Sequence, residues 1–222
     1  MSWTPRPLPP RTVMEGRYAR LEPFDPAIHA AGLHAAHAED TEGDLWRFRD
    51  VGPFADEAAF RDFAGRTMTG DDPLFFAILD KATGEVLGSA ALMRIVPAHG
   101  VIEVGTIGYS PRLKRTRIAT DAMYLMARHV FEDLGYRRYE WKCDRTNEPS
   151  QRAALRLGFT FEGIFRQHMM IAGKNRDTAW FAMLDTEWPE KKAALQRWLD
   201  PENFDAEGRQ KRSLEAIRDG LG

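Results

Sequence analysis

One cysteine, Cys143, is all this chain of 222 residues contains, so an intrachain disulfide framework and CxxC metal or redox motifs are excluded. No stretch approaches the roughly 18 apolar residues of a membrane span, and Met1 to Pro10 holds no apolar run fit for a signal-peptide core. Neither sign of charge prevails: 31 Lys and Arg face 33 Asp and Glu, which removes the basic footprint of a dedicated nucleic-acid binder. These absences lead us to expect a cytoplasmic protein with neither membrane nor nucleic acid as partner. What is present is 43% hydrophobic residues, with 13 Phe and 6 Trp, enough for a sizeable core.

The length suits one domain with additions at both ends: a Pro-rich arm at 1–11, a domain at 12–188 and a charged helical extension at 189–222. Four prolines within ten residues favour an extended arm, packed or mobile, and a frayed terminus is the plainer expectation. Apolar spacing then predicts a strand at 18–21, a helix at 26–39, an aromatic loop and a second helix carrying Phe60, Phe63 and Met68. Segments 74–79, 86–96 and 101–109 read as an antiparallel meander, and 118–134 as an amphipathic helix capped by Gly135. A strand at 136–143, a helix at 148–157, two strands around the turn at 172–175 and a helical tail complete the order.

Three segments could carry chemistry. The passage from Ile107 to Asp121 leads from a strand into a helix N-terminus, where unpaired NH groups and the dipole attract anions, and Arg112, Lys114, Arg115 and Arg117 add charge there. A solvated basic turn is the bland alternative. Two glycines interrupt the strand Val101 to Tyr109, which marks a bulge or the close approach of a ligand or another backbone. Asn147-Glu-Pro-Ser150 opens a helix, with Asn147 an ordinary N-cap candidate.

Together these segments resemble the GNAT superfamily of N-acetyltransferases, and most of all its RimJ/RimL-like branch, over roughly residues 12–190. Lys114-Arg-Thr-Arg-Ile-Ala119 is similar to the pyrophosphate loop Arg/Gln-x-x-Gly-x-Gly/Ala, and Asn147-x-x-Ser150 with Leu155-x-Leu-Gly-Phe159 and Glu162-Gly163 to the branch's second signature. The sequence departs from the family at Arg117, where glycine is usual, and at Ala154, where many members carry a tyrosine acid.

The resemblance implies an α/β (α+β) fold: a mixed, mostly antiparallel sheet of about seven strands flanked by helices and splayed into a cofactor cleft. It implies acetyl-CoA as cosubstrate, its pyrophosphate on the NH groups of Arg115, Thr116, Arg117, Ile118, Ala119 and Thr120 beside Lys114. Ile107, Gly108 and Tyr109 would meet the thioester and pantetheine, Asn147 would bond pantetheine, and Ser150 would inherit the acid's task for the leaving thiolate. Glu103, the carboxylate on the central strand, is either the general base or a structural ion-pair anchor. Trp46, Phe48, Phe54, His168 and Arg176 are candidates for the acceptor wall.

A lysine-type amine costs roughly 4–5 kcal/mol to deprotonate at pH 7 and an α-amine only about 1. One candidate base therefore favours the α-amine of an amino acid, peptide or protein N-terminus. His34 and His37 share a helix face without a third ligand at matching spacing, so no metal is expected. Cys143 reads as a buried small hydrophobe. A silent CoA-binding module, or an interaction module (including a homodimer) that presents Trp198 and Leu214 to a partner, are the competing readings.

Overall fold

The short turns at 81–85 and 97–100 let three apolar segments, β3 (Leu74–Asp80), β4 (Val86–Val96) and β5 (Val101–Tyr109), fold back on one another as an antiparallel meander. They form the middle of an eight-stranded sheet in a computed structural model that describes residues 3–221. Before the meander come β1 (Met14–Glu15), β2 (Ala19–Pro23), α1 (Pro26–Ala38) and α2 (Glu57–Thr67). After it come α3 (Arg117–Arg128), β6 (Arg138–Asp144), α4 (Glu148–Leu157), β7 (Thr160–Ile171), β8 (Lys174–Leu184), α5 (Trp188–Trp198) and α6 (Leu214–Asp219). The strand order is β1-β2-β3-β4-β5-β6-β8-β7, and only β5 and β6 run parallel. The sheet has one strand more than expected, the two-residue β1, which is too short to show alternation.

Alternation along the strands divides the core into two layers. Phe75, Ala77, Leu79 and Ala91 pack with Leu33, Phe60, Ala64 and Met68 of α1, α2 and the residue after it. On the other face Phe76, Ile78, Leu92, Ile102 and Val104 join α3 through Ala122, Leu125 and Met126. The expected helix at 118–134 is α3 followed by a π-helical turn at His129–Asp133, with Gly135 at φ +69° after it.

Both termini correct the expectations. The arm is packed: the Trp3 indole donates to the Ala98 carbonyl at 2.7 Å, Tyr136 Oη to the Pro7 carbonyl at 3.0 Å, and Arg11 Nη2 pairs with Asp71 at 3.1 Å. A proline-rich backbone turns its carbonyls outward, so a neighbouring hydroxyl can fasten it. The C-terminal extension is not one run of helix, because Pro201 starts a 3₁₀ turn and 204–213 is irregular before α6. Trp198 and Leu214 are not offered to a partner; they are 4% and 1% exposed and join the same core as α3.

Candidate active site

Parallel strands β5 and β6 pair from Val101↔Arg138 to Val104↔Trp141 and then part, β5 running on to Tyr109 and β6 to Asp144. The expected bulge lies in the diverging part of β5. Ala91 faces Gly105 and Ser89 faces Gly108, so Thr106 and Ile107 together oppose Ala90, with Thr106 at φ +47°. Gly105 answers to a close approach: a Cβ there would lie 2.3 Å from Met93 Sδ. Arg49, from the loop between α1 and α2, donates to the Ile107 carbonyl at 2.7 Å and fastens the bulge. His37 lies beside Gly108, and burial, then the charge of Arg49, lowers its pKa to about 4, so the ring is neutral.

Beyond β5 the chain turns on Ser110, whose carbonyl accepts from the NH groups of Leu113 and Lys114. Arg115 takes φ +64°, and Thr116 caps α3 by accepting from the Ala119 NH at 3.1 Å. The Thr120 NH goes to the Thr116 carbonyl at 3.4 Å. Capping therefore removes Ala119 and Thr120 from the expected anion donors; among the described residues, the NH groups of Arg115, Arg117 and Ile118 bond to no backbone or side-chain acceptor. The clustered side-chain charge is also thinner than expected. Arg112 is held by Glu39 and Glu85, each at 2.8 Å, and Arg117 is sandwiched between Tyr18 and Phe204, 4.9 and 4.7 Å from their ring centroids. Arginine can stand where glycine is usual because Phe204 of the extension provides the second face of that sandwich. Lys114 stands 4.0 Å from Asp40 Oδ1, the limit of an ion pair, and Arg115 makes none among the described residues.

At the start of α4 Asn147 is the N-cap, its Oδ1 accepting from the Ser150 NH at 3.2 Å. The Trp141 indole donates to Ser150 Oγ at 3.0 Å, and burial pushes up the pKa of the Cys143 thiol on the same strand. Tyr109 is a wall, not an acid: its hydroxyl is buried without a partner, and burial raises its pKa far above neutrality.

The opposite face of β5 and β6 carries a buried ion cluster. Lys142 Nζ lies 2.8 Å from Glu103 Oε2, 2.7 Å from Glu140 Oε2 and 3.9 Å from the Trp180 ring centroid. Arg94 Nε reaches the same Glu103 oxygen at 3.4 Å. Burial raises the Glu103 pKa against the pull of Lys142. Glu103 is thus an ion-pair anchor through Oε2, while Oε1 faces the bulge, 3.4 Å from where a Gly105 Cβ would stand.

The expected acceptor residues do not converge on one point. Trp46 packs on His37 and Phe54, and Phe54 on Phe60 and Phe63, so these rings staple their loop to α1 and α2, because apolar rings there gain more from burial than from exposure. Phe54 therefore sits in that core, whereas Trp46 borders the site through Arg49, at 5.9 Å. Phe48 meets only the Arg47 guanidinium among the described ring contacts. His168, by contrast, lies on Trp180 and bonds Thr178 Oγ1 at 2.9 Å, and it belongs with Arg176 to the β7–β8 side of the splay.

Arg49, Trp141 and Lys142 were not anticipated. Glu140 and Lys142, two apart on a strand, share a face, and that spacing was the available signal for the cluster. Trp141 reads as core, and an arginine in a loop gives no signal of what it reaches.

A family model for the acetyltransferase (GNAT) domain matches residues 19–160, from β2 to the first residue of β7. The fold superposes on a GCN5-related N-acetyltransferase from Brucella melitensis with TM-score 0.93, 53% identity and 98% coverage of each chain. A GNAT-family structure from Chromobacterium violaceum gives TM-score 0.78 at 40% identity, over 84% of this chain and 93% of that one. An uncharacterized N-acetyltransferase, p20 of Bacillus licheniformis, is 27% identical over 67% of this chain and 84% of its own. The fold as a whole is thus a shared architecture, and the chain belongs to the GNAT family of acetyltransferases.

Proposed function

We propose that this enzyme transfers the acetyl group of acetyl-CoA to the α-amine of an amino acid, peptide or protein N-terminus, as a member of the RimJ/RimL-like branch. The observation that carries the reading is the conjunction at the splay: a bulged strand at Thr106–Ile107, unpartnered NH groups at Arg115, Arg117 and Ile118, and a half-buried Ser150 across from them. These features fit the cosubstrate, because NH groups at a helix N-terminus receive phosphate and a bulge turns backbone groups out of the ladder. When bound, acetyl-CoA supplies an acyl group activated as a thioester.

The chain's own groups do the rest. Lys114 and the NH groups of Arg115, Arg117 and Ile118 would hold the pyrophosphate, the second amide atom of Asn147 would bond pantetheine, and backbone NH groups at the bulge would polarise the carbonyl. Ser150 Oγ already accepts from the Trp141 indole, which leaves its own hydrogen to be donated to the departing sulfur. Glu103 Oε1, with Oε2 fixed by Lys142 and Arg94, takes the amine's proton directly or through one water. An α-amine needs only about 1 kcal/mol to become neutral at pH 7, within reach of this single carboxylate.

The test is acetyl-CoA-dependent release of CoA thiol at pH 7 across peptides with a free N-terminus and across Nα-blocked lysine. Free α-amines are expected to react at least about 100-fold faster, matching the difference in deprotonation cost. Equal rates for blocked lysine would overturn the α-amine assignment. Acetyl-CoA binding with no transfer to any amine would favour a silent module instead.

A further inference from the structure

Around the acceptor face the carboxylates hold cations except Asp144, which accepts from the Thr146 NH and hydroxyl at 2.8 and 2.7 Å. Glu103 holds Lys142 and Arg94, Glu140 holds Lys142 and Arg138, Glu162 holds Arg138, and Asp177 holds Arg145. Arg176 stands outside this pairing. Its Nε is fully buried and bonds to nothing among the described residues, and the side chain makes no ion pair there. The side chain is only half-buried, and its Nη groups, which are neither buried nor hydrogen-bonded among the described residues, are the donors open to an anion.

Arg176 lies opposite Met169 and two residues before Thr178 on β8, and Thr178 Oγ1 bonds His168 at 2.9 Å. From β8 the contacts run through His168 on Trp180, and Trp180 under Lys142, to Glu103 beside the bulge. The Arg176 charge is also felt at the Cys143 thiol, next to Ser150. Burial, then Arg94, Arg176 and Lys142, lowers the His168 pKa, which marks this side of the cleft as cationic. A diamine or polyamine would meet like charge here.

We propose that Arg176 receives a carboxylate of the acceptor, so that the substrate is a primary amine that also carries a carboxylate. This rests on the acetyl-transfer reading and narrows it. A guanidinium offers parallel NH donors matched to a carboxylate's two oxygens, whereas a neutral amide cannot replace both the charge and the second acceptor. The carboxylate has two possible sources: the α-carboxylate of a free amino acid, or an acidic side chain near a peptide N-terminus.

The experiment compares kcat/KM for matched acceptors with the full-length enzyme: free amino acids against their α-amides, and C-terminally amidated peptides opening with Asp or Glu against those opening with Asn or Gln. One carboxylate series is expected to exceed its amide partners by about 10- to 100-fold, the range for a charge-assisted hydrogen bond, and the series that does so names the source. The preference collapses in Arg176→Ala and returns in part in Arg176→Lys. Equal rates within both pairs, or an equal loss for carboxylate and amide in Arg176→Ala, would overturn the proposal. If the enzyme binds acetyl-CoA but turns over no acceptor, saturation-transfer NMR of the same pairs decides: carboxylate-selective binding lost in Arg176→Ala upholds it, and unselective or absent binding ends it. If acetyl-CoA does not bind, the acetyl-transfer reading has failed, and the same NMR comparison on the free protein still reads Arg176 alone.

Discussion

Lys142→Met is expected to lower the free energy of unfolding at pH 7 by about 3–5 kcal/mol, the usual cost of removing one partner from a buried ion pair. Methionine nearly conserves the volume, so lost packing is a minor part. What remains is Glu103 and Glu140, both nearly buried, without the ammonium that each touches at 2.8 and 2.7 Å and with only Arg94 at 3.4 Å and Arg138 at 2.6 Å to hold them. In the wild type, burial is the largest influence on Glu140, yet its bonds to Lys142 and Arg138 outweigh it and hold the pKa below the usual range. Glu103 is already raised by burial.

The sign with pH follows. Without Lys142 the Glu103 carboxylate is raised further and Glu140, which keeps Arg138 at 2.6 Å, loses part of its downward shift, so both changes penalise the charged folded state and the penalty is fully present at neutral pH. It shrinks as pH falls through the raised carboxylate range, and wild-type and variant stabilities converge on acidification. Urea unfolding at a series of pH values checks this. A deficit that stays constant from pH 7 to pH 5 would mean that Lys142 acts through packing and not through charge.

Ser150→Ala should reduce kcat by about 100-fold, the low end for a positioned proton donor, with little change in acetyl-CoA affinity. The Trp141 indole fixes which way the Ser150 hydroxyl points, and Ala154 leaves no tyrosine at the alternative position. Trp141→Phe, which keeps the ring but not the donor, should give a smaller loss in the same direction. Steady-state rates with a saturating acceptor distinguish the cases; a variant that weakens acetyl-CoA binding at unchanged kcat would reassign Ser150 to binding alone.

How much was legible in the sequence follows from the range of each signal. Local periodicity reports local structure, and β4, β5 and α4 stand where their apolar spacing puts them. The two glycines of β5 flank the bulge, whose positive φ falls on Thr106 between them, while they themselves make room for Met93, Arg49 and His37. Contacts between distant segments leave no such trace. Arg117 looked like a cation for phosphate, and its sandwich needs Phe204, 87 positions along the chain. The same holds for the extension, whose charged outer face is visible in the sequence while the apolar seam it lays on α3 and α4 appears only in three dimensions. At the pyrophosphate loop the motif named six residues, and the capping bonds decide which of their NH groups are available.

The central claim is that acetyl-CoA enters between β5 and β6 with its phosphates on the first turn of α3. Amide hydrogen exchange of the full-length protein with and without saturating acetyl-CoA tests it most directly. Protection is predicted at 105–109, 115–118 and 147–150, with β1 to β3 unchanged. Protection instead along the open cavity of about 750 Å³ between α3, α5 and the β1–β2 turn, lined by Arg17, Arg128 and Arg197, or none at the splay, would contradict the claim.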